Sequence, residues 1–324
     1  LVFSALEGSS DVDPTTGRIN DTRWKDVISE IASGEAWGCM DITEPDAGSD
    51  MAALRAVGEQ DEDGNWYVTG EKIFITSGHG KYHFVIARTE ETDPDDPKSG
   101  LNGLSMFLVK TYEDDEDGNR KRIVQLSRVE EKLGHHGSAT CGLVFDKAPA
   151  ELVGKRGEGF KYMLTLMNNA RVGVGFECLG LSESAYRTAL EYAAERGSMG
   201  KSIDRHEMIA EYLETMKTEI QAQRAMAVAA CFHEEMAQKL SIELRYGDFD
   251  EASRADTERL LKSHQRKARR ITPLLKYFGA EKAVEHARTA LQIHGGNGYI
   301  TEYLPEKLLR DALVMPIYEG TSQI

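Results

Sequence analysis

Cysteine is scarce and scattered. The four present, Cys39, Cys141, Cys178 and Cys231, form no CxxC pair. That spacing argues against a zinc site or a disulfide framework and fits a reducing cytoplasm. Long apolar runs are lacking too, since none approaches the roughly 20 residues that a membrane-spanning helix needs. No charged-then-apolar leader opens the sequence, so nothing in it suggests secretion. Positive charge is in deficit: 39 Lys and Arg against 54 Asp and Glu leave a net charge of -15. Counterion release needs clustered cations, so neither nucleic acid nor an anionic membrane is expected as the main partner. Local basic clusters exist; "HQRKARR", from His264 to Arg270, follows Asp256 and Glu258 and reads as a solvated helix face. An initiating methionine is missing as well, the first residue being Leu1. The expectation is a piece of a longer protein, with sequence absent at both ends.

What is present suits a folded chain with a real core. Its 324 residues, 40% hydrophobic and 29% charged, allow about two domains. A Gly/Ser/Asp-rich opening precedes "WKDVISEIASGE", which predicts one short helix. From Trp37 to about Val153 the texture is short and alternating. "NWYVTGEKIFIT" (residues 65–76) follows the turn signal Asp63-Gly64, and "HFVIAR", "LSMFLVK", "RIVQL" and "CGLVF" are further strand candidates. The acidic stretches "EETDPDDPKSG" and "YEDDEDGNR" read as loops between them. This texture predicts a compact antiparallel β domain, barrel or sandwich. Beyond Gly157 the period becomes helical. Ile209, Leu213, Met216 and Ile220 make one apolar face, with Asp204 and Glu207 as a capping-box-like start. A second stripe runs Ile271, Leu274, Leu275, Phe278, and Pro273 is expected to kink that helix. Three or four such helices pack most easily as an antiparallel bundle. The fold class expected is α+β, an antiparallel β-barrel middle domain followed by a C-terminal four-helix bundle. Its boundaries are drawn at residues 1–36 (remnant of a preceding helical domain, or linker), 37–154 (barrel) and 155–324 (bundle, expected to be truncated at its end).

Four stretches carry chemical possibilities. "CMDITEPDAGSDMA" (39–52) sets Thr43, Gly48 and Ser49 beside a proline turn, offering hydroxyls and backbone N–H groups to a polar planar ligand. It reads equally as a plain turn. In "KIFITSG" (72–78) a strand puts Phe74 and Thr76 on one face and Ile73 and Ile75 on the other. An aromatic ring two positions from a hydroxyl suits a flat cofactor, and core packing of Phe74 is the competing reading. "LQIHGGNGY" (291–299) ends a helix with two glycines where a C-cap needs one, room for a phosphate or another backbone. Last, "PIYEGTSQI" (316–324) holds Glu319 between Tyr318 and Gly320 with no other charge. Burial there would raise its pKa and suit it to take a proton from carbon; a solvated helix glutamate is the alternative.

In this order the stretches resemble the acyl-CoA dehydrogenase family, on "TEPDAGSD" and "IHGGNGY…EY…EKLLRDA…IYEGTSQI", from about Gly38 to the last residue. The resemblance implies a helical domain, then a β-barrel domain, then a four-helix domain, with most of the first cut away here. It implies FAD as cofactor and Glu319 as the base that removes the substrate α-proton. The base position used in some relatives, just before an arginine on an earlier helix, is here Ala170 before Arg171. The implied flavin contacts include Met40, Asp41, Ile42, Thr43, Gly48 and Ser49, Ser49 also reaching substrate. Phe74, Ile75 and Thr76 match a second flavin segment, with Phe74 standing where most relatives carry tryptophan. Thr321, Ser322 and Gln323 match a third. Arg196 and Ser198 match contacts to the adenine half, as do Gln292, Ile293, His294, Gly295 and Gly296; these come from a neighbouring subunit, implying a homodimer or a dimer of dimers. His206 falls at a further cofactor contact. Glu207 lies beside His206 where relatives often have glutamine. Asn168, Asn169, Ala170 and Arg171 match positions at the CoA ester, Gly320 is a substrate contact, and Ser99 falls in a loop resembling a substrate-binding one. No metal is implied.

The chemistry the resemblance implies is α,β-dehydrogenation of an acyl-CoA, as in fatty acid β-oxidation, to a trans-2-enoyl-CoA. The Glu319 N–H and a ribityl hydroxyl of the flavin would stabilise the thioester oxygen. Thr76 would bond near flavin N5, which takes the hydride. Electrons would pass on to an electron-transfer flavoprotein. The polar insertion around Gly247–Ala255 suggests the larger bacterial branch, including enzymes for long-chain acyl-CoA and 3-methylthiopropionyl-CoA. The competing readings are an acyl-CoA oxidase, a DNA-binding alkylation-response flavoprotein and a desulfinase-like relative. The charge balance disfavours the DNA binder, and retention of Glu319 disfavours the last.

Overall fold

The computed structural model describes residues 8, 10–13, 15–16, 18–93, 95–96, 99–114 and 117–322. It divides into two compact units. The first comprises Leu1–Lys132, His136–Leu166 and Arg245–Gly247; the second comprises Leu133–His135, Met167–Leu244 and Asp248–Ile324.

A closed barrel forms the first unit. It follows a small pairing of β1 (Asp11–Val12) with β2 (Ile19–Asp21), and helix α1 (Lys25–Ser33), which Gly34 ends in a left-handed cap. The barrel strands are β3 (Gly38–Asp41), β4 (Val57–Gln60), β5 (Trp66–Thr76), β6 (Tyr82–Arg88), β7 (Leu104–Lys110), β10 (Gln125–Val129) and β11 (Thr140–Val153). Pairings β11–β5, β5–β4, β4–β6, β6–β7 and β7–β11 close the ring, while β10 and β3 extend it at β11 and β6. Most of these ladders are antiparallel as expected, but β3 runs parallel to β6, and β4 meets β6 in a single parallel pairing. Strand β7 is buried at six of its seven positions, so it reads as a continuous apolar run instead of an alternation. Val68, Val85, Phe107, Val109, Leu143 and Phe145 are among the side chains that fill the interior.

Local features depart from the sequence reading in places. "RIVQL" is not one strand: Arg122 ends β9 (Arg120–Arg122), Val124 is buried between, and Gln125 opens β10. The stretch read as a loop at "YEDDEDGNR" pairs β8 (Tyr112–Asp114) with β9. Another acidic loop contains the one-turn helix α2 (Ser99–Asn102). "GCMD" is strand β3, where only a turn was expected.

The second unit is built on three long helices and a short one. Helix α3 (Gly159–Glu195) enters it at Met167, α4 is Glu207–Tyr246, α5 is Glu251–His294, and α6 is Leu304–Ala312. Ala193, Leu213 and Ile293 share one cluster while Val172, Ala230 and Leu275 share another. Residue numbers therefore fall along α4 as they rise along α3 and α5, which makes sequence neighbours antiparallel. The α4 stripe behaves as predicted, with Leu213, Met216 and Ile220 buried. Its start does not. Asp204 lies in a 3-10 turn (Ile203–Arg205) and accepts the Ser202 hydroxyl, so α4 begins at Glu207 without that cap. The second stripe is also corrected, since Leu274 is exposed and the seam of α5 is made largely of Leu275, Gly279, Ala280, Ala283, Ala287 and Ala290. Small residues let helices approach closely: a Cβ on Gly175 of α3 would lie 2.5 Å from Leu275. Pro273 lies within one uninterrupted helix.

Candidate active site

The carboxylate of Glu319 sits on a short turn just beyond α6. Tyr318 packs against Val174, Cys178 and Met315, and its hydroxyl donates to Glu177 Oε2 at 2.5 Å. The turn closes where Ser322 N–H donates to Pro316 O at 2.9 Å. At its apex Glu319 and Gly320 both adopt left-handed backbone, φ 55° and 95°. That conformation suits Gly320 but is costly for a glutamate. Two cations hold it from below. Arg171 Nε of α3 donates to Glu319 O at 3.0 Å, and Lys276 Nζ of α5 donates to Gly320 O at 2.5 Å. Burial pushes the Glu319 carboxyl above its usual range, and Arg171 and Lys276 pull it part of the way back. The solvated-helix alternative therefore does not describe this residue.

Its surroundings include a segment from far away in sequence. His135 N–H donates to Asp311 Oδ1 at 2.7 Å and its Nε2–H to Asp311 O at 3.0 Å. The imidazole then meets the Tyr318 ring edge-on at 6.5 Å. No sequence motif pointed to His135, and its pairing with Asp311 is 176 residues long in sequence.

Of the predicted substrate contacts in this unit, Arg171 and Gly320 meet at the turn, and Asn168, Asn169 and Ala170 lie on the α3 turn before Arg171. The Asn169 amide oxygen is taken by Gln238. Ser99 lies in the first unit. Its hydroxyl accepts from Asp93 N–H and points at the Asp93 and Asp96 carbonyls, so it is spent closing its own loop.

The predicted cofactor contacts fall into three groups. In the first unit, Thr43, Gly48 and Ser49 lie on the loop after β3, and this loop is anchored from inside. The Glu44 carboxylate accepts from Arg55 N–H (2.7 Å), Ala56 N–H (3.0 Å) and the Lys72 ammonium (2.7 Å). Lys72 is fully buried and also donates to Ile42 O and Ile86 O. Thr43 O in turn accepts from Ile73 N–H. Sequence reasoning missed Glu44 and Lys72; the signal available was an internal lysine in a strand of otherwise alternating pattern.

Phe74 settles one open alternative. It is 59% exposed, so it is not a core residue. A register shift places Ile73 and Phe74 opposite the single Gly142 and gives Phe74 φ 59°. Phe74 and Thr76 are both exposed while Ile75 is buried, so the side chain of Ile75 belongs to the barrel interior.

Asp41 is likewise turned inward. Its Oδ2 lies 2.7 Å from His83 Nδ1, and Cys39 Sγ lies 3.1 Å from the same nitrogen. The Thr111 hydroxyl donates to Gly80 O, so it accepts from His83 Nε2–H at 2.8 Å. Burial and the Asp41 carboxylate push the Cys39 thiol far up. These three groups lie close enough together to hold a metal ion, but their atoms stand at hydrogen-bond distance from one another and link β3 to β6. What Asp41 could present to a cofactor is backbone alone.

The second group lies at one end of the bundle. Arg196 follows α3, and Ser198 belongs to a hairpin of β12 (Gly197–Ser198) and β13 (Lys201–Ser202). His206 Nε2 donates to Ser198 O at 3.2 Å. The end of α5 adjoins it, where the His294 ring stacks on Tyr192 at 4.1 Å and Asn297 bonds the Tyr192 hydroxyl. Ile293 and His294 are core side chains, whereas Gln292, Gly295 and Gly296 are exposed. A Cβ on either glycine would meet nothing within 4 Å, so neither is needed for packing inside the chain. This end is about 27 Å along α5 from Lys276, at 1.5 Å per residue. Within one chain, then, the second group and Glu319 are separate places.

The third group follows Glu319. Thr321 Oγ1 and Ser322 Oγ are buried without a hydrogen-bond partner among the described residues, an arrangement that native structures rarely leave unanswered. Gln323 lies outside the described residues.

Comparison with known proteins bears directly on this arrangement. Residues 39–148 match the model of the acyl-CoA dehydrogenase middle domain, and residues 157–243 and 251–324 match that of the acyl-CoA dehydrogenase C-terminal domain. The chain belongs to the acyl-CoA dehydrogenase family. It is 34% identical over 313 residues to 3-methylmercaptopropionyl-CoA dehydrogenase of Ruegeria pomeroyi, covering 92% of this chain and 50% of that protein. It is 34% identical over 310 residues to an acyl-CoA dehydrogenase of Bacillus subtilis, covering 94% and 70%. The solved butyryl-CoA dehydrogenase of Megasphaera elsdenii superposes with TM-score 0.74 at 26% identity, covering 92% and 68%. The chain thus spans half the length of the Ruegeria relative. In the C-terminal match, the unmatched residues 244–250 include the polar break between α4 and α5. Among the described residues no helix is long and apolar enough to cross a membrane.

Proposed function

We propose that this acyl-CoA dehydrogenase family chain carries out α,β-dehydrogenation of an acyl-CoA thioester, with Glu319 as the base for the α-proton. The observation that carries this reading is the Glu319 turn itself. A carboxylate with a raised pKa stands on backbone pinned by two side-chain donors, followed by two buried hydroxyls with no partner among the described residues.

FAD fits the residues present. Phe74 offers an exposed aromatic face beside the exposed Thr76, and Thr321 and Ser322 offer unanswered hydroxyls. When bound, FAD supplies the acceptor for the β-hydride. The chain's residues do the rest. Glu319 Oε removes the α-proton, and the Glu319 N–H would stabilise negative charge on the thioester oxygen. The raised pKa brings the carboxylate closer in basicity to the weakly acidic carbon, and the half-buried Tyr318 and buried Met315 limit water. Arg196, Ser198, Gln292 and the two exposed glycines serve the adenine end of a flavin in a second subunit, so the active form is at least a dimer. Electron-transfer flavoprotein is the acceptor that the resemblance implies.

The test is Glu319→Gln in the full-length protein. Flavin is retained and its acyl-CoA-dependent bleaching slows by about 10³-fold or more, in the range expected when an essential proton acceptor is lost. Near-parental bleaching would mean that another group is the base. A panel of straight-chain acyl-CoAs with 3-methylthiopropionyl-CoA as one arm reads the substrate class, that arm being chosen because of the Ruegeria relative.

A further inference from the structure

Two consecutive left-handed residues do not hold themselves in place. At the Glu319–Gly320 turn, φ is positive at both positions, and only glycine adopts this without strain. The contacts that over-determine the turn come from two different helices. Arg171 of α3 bonds the Glu319 carbonyl, and Lys276 of α5 bonds the carbonyl of the next residue. Lys276 is only 5% exposed, unusual for an ammonium, and its removal from water lowers its pKa. Such a group is retained only where it is paired. Among the described residues neither cation forms an ion pair with the Glu319 carboxylate itself. The hydrogen bonds they form at the turn go to main chain, Arg171 Nε to the Glu319 carbonyl and Lys276 Nζ to the Gly320 carbonyl.

We propose that Lys276 is a positioning residue for the dehydrogenation: with Arg171 it clamps the main chain of the Glu319–Gly320 turn, fixing both the carboxylate and the Glu319 N–H. This rests on the reading of Glu319 as base. The clamp has an electrostatic side. Arg171 from α3 and Lys276 from α5 both lower the Glu319 pKa, against its burial. Cys178 of α3 and Glu281 of α5 act on Lys276, Glu177 and Cys178 act on Tyr318, and His135 stands edge-on to Tyr318. Losing Lys276 therefore moves the Glu319 ionisation upward, and the acid limb of the rate profile moves with it.

The experiment compares Lys276→Met, Lys276→Arg and Gly320→Ala in the FAD-loaded, full-length enzyme. The substrate is an acyl-CoA that the parent turns over. Lys276→Met keeps the length of the side chain but has neither charge nor donor. It is expected to lower kcat by about 10–100-fold with KM within about threefold, the size of effect that misplacement of a reacting group produces. The acid limb of kcat is expected to shift to higher pH, and Lys276→Arg to recover at least about tenfold of the loss. Gly320→Ala displaces the turn while leaving Lys276 intact, because its Cβ would stand 3.1 Å from Arg171 Nη2 at φ 95°. It is expected to lower kcat with a smaller pH shift. Should Lys276→Met not fold, Gly320→Ala and Lys276→Arg still decide. A kcat within threefold of the parent in Lys276→Met or Gly320→Ala, or an unmoved acid limb in Lys276→Met, overturns the clamp. If the parent itself shows no acyl-CoA-dependent bleaching, the proposed function fails instead, so the two failures are separable.

Discussion

The Glu44–Lys72 pair makes an asymmetric prediction. Glu44→Leu removes one carboxylate and strands three donors: the N–H groups of Arg55 and Ala56 and the Lys72 ammonium. A buried donor left without a partner costs about 1–3 kcal/mol, and breaking a buried ion pair about 3–5 kcal/mol. The terms are not additive, because Lys72 keeps the Ile42 and Ile86 carbonyls and burial already lowers its pKa, so it can shed its proton. A loss of about 4–6 kcal/mol is expected. Lys72→Met is milder. The carboxylate keeps both backbone donors, and an apolar chain of similar volume fills the space, for about 1–3 kcal/mol. Urea unfolding of the full-length protein at neutral pH reads both, and Trp66, whose ring packs 5.3 Å from Phe107, reports on the barrel. Since Glu44 also fixes the loop carrying Thr43, Gly48 and Ser49, Glu44→Leu should release flavin more readily than Lys72→Met. Equal destabilisation by the two variants would refute the claim that the carboxylate, not the ammonium, is the hub.

Two more outcomes follow from the second unit. Arg196→Ala, at the exposed hairpin, should weaken flavin retention without lowering the melting temperature of the flavin-free chain; unchanged flavin content would count against a subunit-bridging adenine site. The bundle should also lose stability in mild acid. His286 and His294 have pKa values lowered by burial, so their folded forms take up protons less readily than the unfolded chain. Their contribution is present above the ordinary histidine value and is lost as pH falls through it, at up to about 1.4 kcal/mol per group per pH unit. Denaturant midpoints at pH 7.5 and 5.5, compared between the parent and His286→Gln, measure this, and an identical pH slope in both would rule His286 out.

Much of this protein was legible in the residues themselves. Alternation in "NWYVTGEKIFIT" marked β5 to within a residue, and Leu213, Met216 and Ile220 marked the buried face of α4, because a period of 2 or 3.6 is a local property of the chain. The lone charge of "PIYEGTSQI" and the two motifs of the family marked Glu319. The α5 seam was hidden because alanine and glycine carry little apolar signal, yet small side chains are what allow close helix approach.

Other features depend on partners that are remote in sequence. Whether Phe74 packs inside or faces out turns on a register shift against β11, which no single strand encodes. Asp41 turns inward because His83 on β6 stands beside it, and Lys72 is tolerated in the barrel only because Glu44 folds back over it. The backbone of Glu319 is held by residues 148 positions upstream and, at Gly320, 44 positions upstream. Sequence alone names the acid, but its pKa and its aim depend on burial and on two distant cations, and those exist only once the helices have packed.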